Sequence, residues 1–241
     1  MNADTDRPTF LLVHGSWHGA WCWDHLRAAL DADGWRSHTV DLPSANLPAG
    51  RHDGARPAGM LDDAEAIGDS LRRIEGPVVV IAHSYGGVPA TEAIADAANV
   101  VGVVYLAGFQ LDVGESMFTS LGTLVPDDGT GYAPPYEDAR RILFDDVPEV
   151  EADRAVARLR PQSVRSLTER VTTAGWRTVP SSYIVCDRDH ALEPSRQREL
   201  ATRADSVHRL PSSHSPFLSM PRQLATLLGR IATTTLPSPR R

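Results

Sequence analysis

The chain has 241 residues, 41% of them hydrophobic and 23% charged, which is enough apolar material for one large domain with a sizeable core. Its formal net charge of −7 is spread along the chain, which argues against binding nucleic acid or an anionic membrane surface. All 24 basic residues are arginines, so Schiff-base chemistry on an ε-amine and a P-loop lysine are both excluded.

The start, Met1-Asn2-Ala3-Asp4-Thr5-Asp6, is polar and acidic, with neither a cationic n-region nor an apolar h-region. It reads as the frayed tail of a cytoplasmic protein, and no later stretch approaches the length of a membrane span. The first strand is expected at 9–14, where Thr9-Phe10-Leu11-Leu12-Val13 runs into the loop His14-Gly15-Ser16-Trp17. A helix over 20–32 places Trp23, Leu26, Ala29 and Leu30 on one face, and a second strand follows at 36–41. A helix over 61–75 then leads into a strand at 77–83.

That third strand ends in the most informative stretch of the chain, Val78-Val79-Val80-Ile81-Ala82-His83-Ser84-Tyr85-Gly86-Gly87. A β-branched run stops at a serine set among small residues, and a helical pattern over 85–98 begins. This is the context of a nucleophile elbow, whose turn is so sharp that the serine is strained and its Oγ stands exposed. The plainer alternative is a buried strand followed by a serine N-cap. Pro89 sits early in the helix and removes one internal hydrogen bond.

A fourth strand is expected at 100–107. The interval 109–178 then breaks the strand–helix alternation. It opens on Phe109, passes a Gly/Pro-rich stretch from Pro126 to Pro135, and carries helices near 137–144, 148–159 and 161–173. It reads as a lid inserted between two parts of a core, 1–108 and 179–241. Phe118, Tyr132, Tyr136 and Trp176 in it, together with Trp17 and Phe109, are candidates for a substrate pocket; stapling the lid to the body is the alternative role of the lid aromatics.

The strand at 181–186 ends in Asp187-Arg188-Asp189, a helix is expected at 194–203, and a short strand at 206–210 precedes Pro211-Ser212-Ser213-His214-Ser215-Pro216. A last helix spans 219–232, and Thr233 to Arg241 reads as disordered. Strands alternating with helices give an α/β fold, a parallel sheet of about six strands flanked by helices. Right-handed crossovers bring the strand C-termini to one edge, where open α/β sheets bind ligands.

Along that edge Ser84 is the candidate nucleophile and His214 its base, in the chain order Ser, acid, His. Asp187 and Asp189 compete to orient the imidazole; Asp189, one turn into the loop, has more freedom to reach His214. The backbone N–H groups of Ser16 and Tyr85 are the candidate oxyanion donors. No G-x-G-x-x-G follows a strand, and no H-E-x-x-H or paired C-x-x-C occurs, so neither a cofactor nor a metal is expected. Cys22 and Cys186 read as small core residues, and His18, His25, His38, His52 and His208 as structural or surface groups.

The segment from Leu12 through His14-Gly15-Ser16-Trp17-His18-Gly19-Ala20-Trp21-Cys22 to Trp23 and the strand end Val40-Asp41-Leu42 resemble the methylesterase and hydroxynitrile lyase branch of the α/β hydrolases. So do Ala82 to Gly87, Leu106-Ala107-Gly108-Phe109, Arg160-Pro161-Gln162-Ser163 and Tyr183 to Asp189. The resemblance implies the α/β-hydrolase fold, an acid on Asp189, and Ser84, His214, Ser16 and Tyr85 in the roles above. It implies a small-molecule ester or lactone as substrate, with no cofactor, and leaves a homodimer open.

Lyases of this branch carry a threonine at the place of Gly15 and a lysine after the histidine, where this chain has Ser215 and no lysine. An ester hydrolase is therefore the expectation. A hydrolase or cyclase of a polyketide-type metabolite, a cofactor-free oxygen- or peroxide-using relative, a hydroxynitrile lyase and a non-catalytic receptor are the alternatives.

Overall fold

The computed structural model describes residues 7–45, 56–123 and 130–235. The strands are β1 (Thr9–Val13), β2 (Ser37–Val40), β3 (Val78–His83), β4 (Val100–Leu106), the two-residue β5 (Tyr132–Ala133) and β6 (Gln162–Ser163), β7 (Ser181–Cys186) and β8 (Ser206–Leu210). Six of them form one parallel sheet in the order β2-β1-β3-β4-β7-β8. Strand pattern alone located these six to within one residue at each end.

Period-two alternation sorts the strand side chains onto two faces. Phe10, Leu12, Val79 and Ile81 point into one core, with α1 (Asp24–Ala32) and, later in the chain, the terminal helix α10 (Pro221–Thr235) supplying Leu26, Leu30, Leu224 and Leu228. Leu11, Val13, Val78, Val80 and Ala82 point into the other, covered by α2 (Met60–Arg72), α3 (Gly87–Ala93) and α8 (Pro194–Ala201). Burial on both faces is why β3 is an unbroken apolar run up to Ala82, whereas the edge strand β8 is largely exposed. Strand order reverses between β1 and β3, and ligands of such sheets bind at that reversal.

The remaining helices are α4 (Met117–Ser120), α5 (Ala139–Phe144), α6 (Glu149–Val156), α7 (Val164–Thr168) and α9 (Pro216–Ser219). The helix expected over 85–98 is shorter: α3 lies between 3-10 turns at Ser84–Gly86 and Ile94–Asp96. The helix expected over 161–173 shrinks to α7. Gln162 and Ser163 pair with β5 instead, and the N–H groups of Thr172 and Thr173 are captured by the Glu92 carboxylate at 2.7 and 3.1 Å. Thr233–Thr235, expected to be disordered, continue α10; Thr233 and Thr234 hydroxyls donate back to the carbonyls of Gly229 and Ile231. Residues 1–6, His52, part of the Gly/Pro-rich stretch and 236–241 lie outside the described residues. Both cysteines are buried and unpaired.

The insert between β4 and β7 is tied to the core at both ends. The Gly114 and Val171 N–H groups donate to the carbonyls of Val171 and Glu115, which joins the two ends of the insert to each other, and Arg203 of the core clamps the Glu115 carboxylate at 2.5 and 2.8 Å. Nearer the strand C-termini, Trp17 Nε1 donates to the Ala133 carbonyl (3.1 Å), and Asp146 accepts from the Ser213 N–H (2.8 Å) and its hydroxyl.

Candidate active site

Ser84 leaves β3 with φ of +51°, in the left-handed region where a residue with a side chain costs roughly 1–3 kcal/mol. The surrounding backbone holds it there. Phe109 N–H donates to the Ser84 carbonyl at 3.0 Å, and the helix behind the serine packs against β1 and the Phe109 loop. A Cβ on Gly86 would overlap the His14 carbonyl oxygen, and one on Gly87 would sit 2.8 Å from the Phe109 carbonyl oxygen. Only glycines permit this approach.

Across the edge, His214 Nδ1 lies 2.6 Å from Asp189 Oδ2. The carboxylate is fixed by more than this contact: Oδ1 accepts from the N–H groups of Ala191 (2.7 Å) and Leu192 (3.0 Å), and Oδ2 from Gln197 Nε2 (2.8 Å). Histidine and aspartate are both almost wholly buried. Because Nδ1 faces a carboxylate it carries the proton, which leaves Nε2 as the basic nitrogen. Asp187 is engaged elsewhere, by Arg209 on β8 at 2.8–3.1 Å. Of the two competing acids, Asp189 is the one that meets the histidine.

Three further buried histidines surround this pair. His83 Nε2 donates to the His214 carbonyl (2.9 Å), His18 Nδ1 to the Ser16 carbonyl (2.7 Å), and His14 Nδ1 to Gly15 O (2.9 Å), while His14 Nε2 accepts from Leu42 N–H. Burial lowers the pKa of all three, that of His18 to about 3. They are neutral braces for the loops. An imidazolium formed on His214 would meet uncharged rings and one carboxylate.

In the first loop the Trp17 N–H is taken by Gln162 Oε1 at 3.2 Å, whereas the Ser16 N–H has no acceptor among the described residues. A Cβ on Gly15 would come within 2.9 Å of both Ser84 Cβ and His83 Nδ1. A threonine at this position, as in the lyases, would push on the elbow itself. Ser215 is fully buried behind the histidine.

Ser84 and His214 line one small cavity with Trp17, Phe109 and Tyr136; the Trp17 and Tyr136 rings are 4.9 Å apart. The space inside is about 20 Å³, room for one water molecule. Three of the aromatics read as pocket residues are elsewhere. Phe118 and Trp176 pack on the second core, with Trp176 Nε1 donating to Leu111 O (2.7 Å), and Tyr132 is half-exposed in β5. His18, Met117, Leu121, Leu143, Ala191 and Leu192 are also in the wall, and sequence reading missed them. Leu143 lies in a predicted lid helix; its apolar face was the only signal available.

Sequence reading also missed Asp63, a fully buried acid on α2. Tyr85 OH donates to it at 2.5 Å and Ser44 N–H at 2.9 Å, with the Ser44 hydroxyl as a third donor. Burial outweighs these donors and pushes its pKa up to about 7. An acid raised on folding contributes stability that is complete below its unfolded value near 4 and is lost as pH rises through its folded value near 7. The stability of the wild type relative to Asp63→Asn is therefore expected to fall by roughly 4 kcal/mol between these limits and then level off. Chemical denaturation of both proteins across this range measures it, and a flat difference would contradict it.

A six-stranded parallel sheet with helices on both faces and a serine elbow after β3 is the α/β-hydrolase fold. The chain belongs to the alpha/beta hydrolase family, which matches it over residues 10–227. Methylesterase 1 of Arabidopsis thaliana is 26% identical, with 96% of this chain and 98% of that protein covered. The pheophorbidase of Raphanus sativus is 28% identical, with 95% of each covered. The crystal structure of the Arabidopsis methylesterase MES16 superposes with a TM-score of 0.77 at 26% identity, covering 94% of this chain and 99% of that one. These relatives agree with the branch that the sequence motifs resemble. No helix among the described residues is long and apolar enough to cross a membrane.

Proposed function

We propose that this protein is a serine-dependent ester hydrolase that cleaves a small, uncharged carboxylic ester or lactone through an acyl-enzyme on Ser84. One observation carries the reading: His214 is oriented by the buried, fully hydrogen-bonded Asp189 in the same cavity as the strained Ser84.

An ordinary serine hydroxyl is a poor nucleophile and needs a base. Ser84 Oγ adds to the ester carbonyl carbon as its proton passes to His214 Nε2, and the oxyanion is met by the N–H groups of Ser16 and Tyr85. Collapse expels the alcohol, which leaves with the proton from His214. Water then repeats the sequence on the acyl-enzyme and releases the acid.

No charged side chain lines the cavity among the described residues, which favours an uncharged substrate. With room for one water, the cavity must open for an ester to enter, and in this reading the lining residues of the insert, Tyr136, Met117 and Leu121, are the ones displaced. All three belong to the insert, which acts in this reading as the lid of a single catalytic core. The relatives named as methylesterases agree with a small alcohol as leaving group.

The test is a panel of activated esters and lactones followed by intact-mass and peptide analysis. An acyl adduct on Ser84, with concurrent turnover, is expected. Binding without an adduct or turnover would instead make this a receptor on a hydrolase fold.

A further inference from the structure

We infer that Asp63 is a positioning residue that holds both proposed oxyanion donors from a single buried carboxylate. The inference rests on the ester-hydrolase reading above and extends it to a residue outside the cavity.

Tyr85 supplies one proposed donor through its N–H, and its side chain ends on Asp63 Oδ2 at 2.5 Å. The other proposed donor, the Ser16 N–H, precedes Trp17, whose own N–H is held by Gln162 Oε1. Gln162 Nε2 donates to Ser44 Oγ (2.6 Å) and to Ser166 Oγ (2.7 Å), and the Ser44 hydroxyl and N–H both end on Asp63. Ser166 passes its own proton to the Ser163 carbonyl at 2.7 Å.

Two chains of hydrogen bonds thus run from the two sides of the candidate oxyanion hole and converge on one acid. All the members are buried; Asp63, Tyr85, Gln162, Ser163 and Ser166 have no exposed surface. Direction matters here. A backbone N–H can only donate, so Gln162 must present its oxygen to Trp17 and its amide nitrogen to the two serines. Each serine then has one proton to give, and the Ser44 and Tyr85 protons both point at Asp63. Asp63 is the acceptor that fixes the Ser44 and Tyr85 hydroxyls, and through Ser44 it closes the end of the network opposite the Trp17 N–H. The elements joined are far apart in sequence: α2, the turn after β2, the elbow, and the β6–α7 corner of the insert. Oxyanion donors act through placement, and misplacement of about 1 Å in such a group can cost 100-fold.

The experiment compares the wild type with Asp63→Asn, Tyr85→Phe and Ser84→Ala on the alkaline side of neutrality. It uses a short-chain nitrophenyl ester and two inhibitors with the same alkyl chain, a trifluoromethyl ketone and a methyl ketone. On the first, Ser84 Oγ adds to the carbonyl carbon, the proton goes to His214, and the oxygen becomes an oxyanion; the second binds as a neutral ketone. Asp63→Asn is expected to lower kcat roughly 10- to 100-fold with KM within about twofold. Its affinity for the trifluoromethyl ketone should fall by the same factor, with affinity for the methyl ketone unchanged. Tyr85→Phe, which keeps ring volume and deletes only the link, should show a smaller loss of the same kind.

Equal weakening of both ketones, or wild-type kcat in a folded Asp63→Asn, would overturn the inference and leave the hydrolase reading standing. If Asp63→Asn does not fold, wild-type kinetics in Tyr85→Phe overturn it. Absence of turnover in the wild type, or turnover that survives in Ser84→Ala, would overturn the hydrolase reading and this inference with it.

Discussion

Replacing Ser84 with alanine is expected to reduce ester turnover roughly a million-fold, leaving only what the oxyanion donors and binding supply, by the precedent of other serine hydrolases. The loss should appear in kcat, because the hydroxyl removed is the one proposed to form the covalent bond. The fold should survive. Alanine keeps the Cβ that the elbow already accommodates at φ +51°, and the Phe109 N–H still finds the residue-84 carbonyl. Steady-state rates on a nitrophenyl ester beside a thermal melt measure both halves. Turnover within tenfold of wild type in a folded variant would remove Ser84 from the reaction.

The second large effect separates two aspartates two residues apart. Asp189→Asn is expected to lower turnover by about four orders of magnitude through the wrong histidine tautomer. The surroundings force that outcome. The N–H groups of Ala191 and Leu192 require an oxygen at the Oδ1 position, so the asparagine must place its amide nitrogen where Oδ2 stood, against His214 Nδ1. Nδ1 then accepts, the proton moves to Nε2, and the base is lost. The same nitrogen also faces the Gln197 amide, donor against donor. Asp187→Asn weakens surface pairings with Arg209 and Arg198, away from His214, and its turnover should stay close to wild type. Rates for the two variants, measured side by side, decide it; the reverse ranking would contradict the geometry at Asp189.

Parts of this molecule were legible before any coordinates, for reasons that can be named. The run Val78 to Ile81 is apolar on both faces because both faces are covered, so it signals a central strand. Gly86 and Gly87 mark the elbow because any Cβ there meets backbone. The loop freedom of Asp189 distinguished it from Asp187, which stands at the strand end and faces β8.

The insert was harder. Its short helices carry too few turns for a periodicity to say which side faces the sheet, so Phe118, Tyr132 and Trp176 looked as suited to the cavity as Tyr136. Aliphatic wall residues such as Leu143 and Leu192 look like any core leucine in sequence. Asp63 was overlooked for another reason. Beside Asp62 in the first turn of a helix, it reads as compensation for the helix dipole. Asp62 does have such a role, with one oxygen on the Gly59 N–H. Asp63, however, lies on the same stripe as Met60, Ile67 and Leu71, and an acid at helical spacing with three core residues was the available signal.

The order of strands has a consequence for the making of the protein. The serine leaves the sheet after β3, the acid after β7 and the histidine after β8, and β7 and β8 are added in turn beyond β4. A ribosome releasing the chain from its N-terminus delivers the serine well before either partner, since the whole insert is synthesised in between. In the proposed mechanism the hydroxyl has no base during that interval, and the growing chain would lack the rate that His214 supplies. On that reading full reactivity would arrive only when the outer edge of the sheet closes and brings His214 into place, and a product that terminates before His214 would lack the base.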